Sequence, residues 1–242
     1  MTHTEIGDAE FLVTIIDDAH AISAVLRRDG GSADIAHCPG WQVRDVVAHL
    51  GDVHRWATEI VRTGRPAADG HPAPGSDSEL AEWFDVGASE LVAVLARTDP
   101  LTPCWTLGAS PGLAGFWRRR QALETAVHRF DVEHAGGASR PIPVDLAAAG
   151  VTEVVEVLYP RQVRLGRTPS PGFEITLRAT DHPGGARWRS TTWQLGTTGP
   201  HAELSGATAD LLLMLWGRPH AGLDRAGDPS ALAALDAAAI TP

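Results

Sequence analysis

The sequence predicts an α+β chain in which a helical bundle occupies residues 1–160 and a small mixed α/β unit occupies residues 161–242. Three observations predict it. Apolar residues recur at three- and four-residue steps in successive segments up to Tyr159, as amphipathic helices require. From Phe173 the stretch FEITLRA alternates apolar and polar residues with a period of two, as a half-buried strand does. Between the periodic segments lie Gly- and Pro-rich stretches that stop helices and turn the chain.

The first helix is predicted over Ala9 to Leu26 from Phe11, Leu12, Ile15, Ile16, Ala19, Ile22 and Leu26, and DGGS at Asp29 to Ser32 ends it. The second opens with Pro39 and Gly40 and runs to Thr63, before Gly64 and Pro66, with Val43, Val46, Val47, Leu50, Val53, Ala57, Ile60 and Val61 on its apolar face. His49 sits at the edge of that stripe. Gly64 to Ser78 reads as a long surface loop, with His71 solvated. A third helix follows from Leu80 to Leu95, closed by Asp99 and Pro100. An irregular stretch from Thr102 to Gly115, with Cys104 and Trp105, leads into a fourth helix near Phe116. That helix, within Trp117 to Gly136, is broken by GGASRPIP, and a fifth is predicted over Val144 to Tyr159. Beyond FEITLRA, RWRSTTWQL from Arg187 and HAELSG from His201 read as further strands. A helix TADLLLMLWGR, capped by Thr208 and stopped by Gly217, and a short Ala-rich helix after Pro229 complete the chain.

Composition narrows the function classes. The 242 residues carry 43% hydrophobic and 21% charged residues, ordinary for a globular protein able to bury a sizeable core. A formal net charge of -10 argues against nucleic acid or an anionic membrane as the main partner. Every basic residue apart from histidine is Arg. Two cysteines, Cys38 and Cys104, are too few for a disulfide framework, and the polar opening MTHTEIGDAE is unlike a secretory signal, so a cytoplasmic location is expected. The apolar run Leu211 to Trp216 is far shorter than the roughly 20 residues a membrane helix needs.

Glu124 and His128 lie four residues apart on the fourth helix, close enough on one face to hold a single ion. Asp45 and His49 repeat that spacing on the second helix. With 11 histidines and 30 acidic residues about one such pair arises by chance, so the spacing alone leaves a metal site and ordinary helix polarity both open. In a helical bundle, ligands from facing helices converge on the core, which makes His49 the natural third ligand. Asp45 would then accept the other ring N–H of His49 from outside the coordination shell. His54 and His134 fall off the ligand faces and read as surface or satisfied helix residues. Cys38, beside His37 and before Pro-Gly-Trp, reads as a turn residue.

The motifs CPGWQVRDVVAHL and RRRQALETAVHRFD resemble those of the mycothiol-dependent maleylpyruvate isomerase family, and the similarity spans essentially the whole chain. The resemblance implies a DinB-like four-helix bundle followed by a small sterol-carrier-like α/β domain, to which ADLLLMLWGR is similar. It places the family's metal ligands on His49, Glu124 and His128. Two departures stand out. Gln42 replaces the Ser or Thr that usually caps the second helix, and Leu123 stands where many members have a His.

What the resemblance implies chemically is a zinc ion, or another divalent metal, with three protein ligands and an open position for the thiol of mycothiol. The thiolate would add to the double bond of a maleyl-type substrate, allow rotation, and leave again, giving cis-trans isomerisation. Arg218 is the candidate for the substrate carboxylate or the enolate charge, while Arg119 and Arg120 would serve the cofactor or only the surface; a solvated role is the ordinary expectation for all three. The partners expected are mycothiol and a small electrophile, in a monomer or small homo-oligomer. A mycothiol S-transferase is the nearest alternative, and a non-catalytic small-molecule or lipid-binding protein is the alternative from another class.

Overall fold

The computed structural model of the protein describes residues 6–108, 112–137, 139–181 and 192–241. Its first four helices follow from the periodicity. Helix α1 (Asp8–Asp29) buries Phe11, Ile15, Ala19, Ile22 and Leu26, which fall at helical steps on one face. Helix α2 (Val43–Thr63) ends on Gly64, whose φ of 71° only glycine adopts cheaply. Helix α3 (Asp77–Arg97) starts where the Ser76 hydroxyl accepts the Glu79 N–H. Helix α4 (Gly115–Ala135) is buried at every residue from Arg120 to Glu133.

Pro39 and Gly40 do not open α2. Residues 35–42 form a turn of their own, with the Cys38 N–H bonded to the Ile35 carbonyl at 2.9 Å and the Trp41 N–H to the Cys38 carbonyl at 3.0 Å. The Gln42 side chain makes no cap bond to the helix; the cap survives from the other side, because the Asp45 carboxylate accepts the Gln42 N–H at 2.9 Å.

Within this unit α1 packs on α3 and α4, and α2 packs on α3 and α4, so the two helices with candidate ligands are direct neighbours. Helices α2 and α3 meet closely at Gly51, where an added Cβ would lie 2.1 Å from the Trp83 ring. Arg55 stacks on that ring at 3.7 Å and donates to the Trp83 carbonyl.

The chain divides into two compact units, one of Gly7–Ile142 and a second beginning at Pro143. That division falls before the fifth helix, not near residue 160, because α5 (Val144–Glu153) packs on the helix Thr208–Leu215 of the second unit. Nor does the helix stop at Tyr159. A π-helical turn over Val154–Leu158 carries it into α6 (Tyr159–Arg164). Pro160 has no N–H to donate, and the wider turn lets the chain continue helically past it.

In the second unit the strands β1 (Glu174–Ala179), β2 (Thr192–Leu195), β3 (His201–Gly206) and β4 (Asp224–Gly227) form a mixed sheet in the order β2-β1-β3-β4. β1 runs parallel to β3 and antiparallel to β2. β1 buries Ile175, Leu177 and Ala179 in strict alternation, as its period-two pattern requires. The predicted strand from Arg187 begins outside the described residues, and its described part is β2. β4 went unforeseen because Asp224–Gly227 is exposed throughout and has no apolar alternation. Helices α7 (Thr208–Leu215) and α8 (Pro229–Ala237) lie against β1 and β3. Thr208 is not the cap of α7: its own N–H and hydroxyl both donate to Asp181 Oδ1, at 2.9 and 2.6 Å. No helix among the described residues is long and apolar enough to cross a membrane.

Candidate metal centre

Helix α4 is unusual for a buried helix because much of its buried surface is polar: Arg120, Gln121, Glu124, Thr125, His128, Arg129, Asp131 and Glu133. Buried charges must be paired or hold an ion. Towards its C-terminus the pairing is internal, Arg129 reaching Asp18 of α1 at 2.9 Å and Glu133 at 2.5 Å. The middle of the helix is different. There Glu124 and His128 face His49 of α2, and one donor atom from each lies within 4.8 Å of the others.

Glu124 Oε1 is 3.6 Å from His49 Nε2 and 3.5 Å from His128 Nε2. A tetrahedral zinc with bonds of about 2.0–2.1 Å holds its ligand atoms about 3.4 Å apart, so both distances from Glu124 Oε1 suit such an ion, and the two imidazole donors lie within 4.8 Å of each other. Glu124 and His128 are buried, whereas 38% of the His49 side chain is exposed, leaving one flank of the set open.

The electrostatics are those of unlike charges paired in a buried cluster. Burial alone would raise the Glu124 carboxyl, but Arg120 and the two histidines outweigh it and hold the group well below the ordinary range. Burial likewise disfavours a charged His128, yet its bonds to Asp131 and Glu124 hold it up at about 9. Both effects come from unlike charges gathered in a space with little water.

Asp45 does not serve His49 as expected. Its carboxylate closes the α2 cap through the Gln42 N–H. A carboxylate does stand behind a candidate ligand histidine, but it is Asp131, whose Oδ2 accepts from His128 Nδ1 at 2.9 Å. Its Oδ1 accepts from His37 Nε2 at 2.7 Å. Arg120, expected on the surface, is buried and pairs with Glu124 Oε2, which turns Oε1 towards the histidines. Arg119 is half-buried.

Other candidates fall elsewhere. His54 is wholly buried, stacked on Phe84 with ring centroids 5.4 Å apart and bonded through Nε2 to Thr125. Burial pushes its pKa down to about 3. His134 is exposed and stacks on Phe130. His71 is not simply solvated, since its Nδ1 bonds Asp52 at 2.7 Å. Cys104 is buried with its thiol towards the Ile60 carbonyl, and Cys38 sits in the turn before α2. Arg218 belongs to the second unit, where it donates to the Trp216 carbonyl and lines an open cavity of about 400 Å³ after α7.

The profile described as the mycothiol maleylpyruvate isomerase N-terminal domain matches residues 13–133, and that of the MDMPI C-terminal domain matches residues 145–236. The chain belongs to the mycothiol-dependent maleylpyruvate isomerase family. No curated protein matches it. Two crystal structures of the mycothiol-dependent maleylpyruvate isomerase share its fold. One, of a mutant, superposes with a TM-score of 0.70 at 13% identity, covering 94% of this chain and 97% of the other. The second gives 0.69 at 14% identity over the same shares. In this member of the isomerase family all three residues aligned with the family's ligands by motif are brought together, and Leu123 is buried beside Glu124 at 2% exposure.

Two local spacings foreshadow the pairings that the sequence reading did not assign. Arg120 is four residues before Glu124, and Asp131 is three after His128, so each pair shares a helix face. His37 carried no such signal, because its partner is 94 positions away.

Proposed function

We propose that the chain is a zinc-dependent enzyme of maleylpyruvate isomerase type that uses mycothiol as its thiol cosubstrate. The observation that carries this reading is the convergence of His49, Glu124 and His128, two imidazoles and one carboxylate with an open flank, in a member of this family. Three protein ligands plus a free position characterise catalytic rather than structural zinc. Zinc bound there would lower the pKa of a thiol in the free position, so that a nucleophilic thiolate exists at neutral pH.

The chain's own residues supply the rest. Arg120 keeps Glu124 ionised and holds one carboxylate oxygen away from the donor cluster. The half-exposed His49 borders the side from which a thiol enters. For an isomerisation, the thiolate adds to the conjugated double bond, the resulting single bond rotates, and elimination restores both the double bond and the thiol. Arg218 is the proposed partner for the substrate carboxylate, since a guanidinium matches its geometry.

Metal analysis with a thermal-shift titration of mycothiol tests the reading. Wild-type protein purified without chelator is expected to hold about one zinc, the count a single three-ligand site allows, and to gain thermal stability with mycothiol. Glu124→Ala should lose both. Mycothiol binding unchanged in that variant would sink the metal-thiolate reading. Turnover separates isomerase from transferase: the former returns the thiol at each cycle, the latter consumes it.

A further inference from the structure

The turn before α2 touches one histidine of the candidate centre directly and reaches the other through a carboxylate. Trp41 sets its ring edge-on to His49 with centroids 5.2 Å apart. His37, four residues earlier, reaches across to Asp131 on α4, and Asp131 in turn holds His128. Asp131 is fully buried, and each of its carboxylate oxygens has an imidazole partner.

We propose that Asp131, clamped by His37, is a positioning residue that fixes the tautomer and orientation of His128 and ties the loop entering α2 to α4. This rests on the metal reading above. The geometry dictates the assignment. An ionised carboxylate only accepts, so both imidazoles must donate to it: His128 through Nδ1–H and His37 through Nε2–H. With its proton on Nδ1, His128 presents the Nε2 lone pair to the side where Glu124 Oε1 and His49 Nε2 stand. Neither rotation nor ring flip is then free. Orienting a ligand histidine in this way adds tenfold to a hundredfold in metal affinity where it has been tested in other proteins. The second histidine gives Asp131 a partner on its other oxygen, so that the carboxylate cannot swing off His128. Because His37 and His49 flank the start of α2, the same contact sets that helix in register with α4.

A rival use of these atoms is a second ion, because His37, Cys38 and Asp131 also offer donor atoms within 4.8 Å of one another, and His37 Nδ1 has no hydrogen-bond partner among the described residues. The positioning role is favoured because it accounts for both short contacts of Asp131.

The test is zinc affinity by competition with a chromophoric chelator, together with the visible spectrum of the cobalt-substituted protein, for wild type, Asp131→Asn, His37→Gln and Cys38→Ser. Asp131→Asn should weaken zinc by about 10- to 100-fold at unchanged stoichiometry and alter the cobalt ligand-field bands. His37→Gln should act in the same direction but more weakly, and Cys38→Ser should change nothing. His37→Gln also keeps the proposal testable if Asp131→Asn does not fold. Affinity within twofold of wild type in both Asp131→Asn and His37→Gln overturns the proposal, as do two equivalents of zinc with one lost in Cys38→Ser. A wild type whose zinc survives Glu124→Ala overturns the metal reading itself, and this inference with it.

Discussion

His128 is caught between two carboxylates, and that has a consequence for pH. Held at about 9 by Asp131 and Glu124 against the effect of burial, it carries a proton at neutral pH whenever no metal is bound. Metal needs the neutral imidazole, so zinc uptake at pH 7.5 should release about one proton for this residue, measurable in weakly buffered solution with an indicator dye. The same shift affects folding. A histidine whose pKa is raised on folding stabilises the protein fully below its unfolded value near 6.5, and that contribution is lost as pH rises through about 9. Urea melts of the metal-free protein should therefore show stability falling between pH 6.5 and 9, a decline that His128→Gln abolishes. An unchanged slope in the variant would mean that the pair is not coupled to folding. His54, whose pKa burial lowers to about 3, has the opposite sign: it costs stability as pH falls below 6.5.

Among the elements, the packing of α2 on α3 is the most demanding. Gly51 leaves room for the Trp83 ring, and Gly87 leaves room for the Arg55 guanidinium that stacks on that ring; an added Cβ at Gly87 would lie 2.4 Å from Arg55 Nη1. Alanine at a helical glycine ordinarily gains about 1 kcal/mol from propensity. At Gly51 the clash with a ring wedged between two helices reverses the sign, and Gly51→Ala should destabilise the protein by about 1–3 kcal/mol in urea unfolding. Gly75, with nothing within 4 Å of an added Cβ, is the control, and Gly75→Ala should be close to neutral. Helices α1 to α3 were legible because their apolar stripes are regular. The fifth helix was cut short at Tyr159 because Pro160 ordinarily ends a helix, and the π-helical turn that accommodates it leaves no pattern in the sequence. Thr208 was misread as a cap because Asp181, which takes its hydrogen bonds, belongs to another segment.

At the scale of the molecule, the candidate metal ligands belong to one compact unit and Arg218 to the other. The two roles should therefore separate under mutation. Arg218→Ala is expected to leave zinc content and zinc affinity as in wild type while lowering kcat/KM by about 10- to 100-fold, the effect of losing a charged hydrogen bond to substrate. Unchanged kinetics would remove Arg218 from the reaction. A loss of zinc instead would mean that it supports the bundle.

By itself the sequence determined the helical bundle, the sheet-bearing second unit and the three residues that converge on α2 and α4. The first two are written in local spacing, as apolar residues at helical steps and alternation in FEITLRA, whereas the three residues needed the family resemblance beside the Glu124–His128 spacing. The tertiary structure alone decided which polar neighbours are buried with them. Spacing gives Arg120, Asp131 and Asp45 equal claim to a ligand on their own helix, but burial and long-range contact give it to the first two and assign Asp45 to a helix cap. His37 enters only through the fold, since a hydrogen bond between residues 94 positions apart depends on how the helices pack and not on any local pattern.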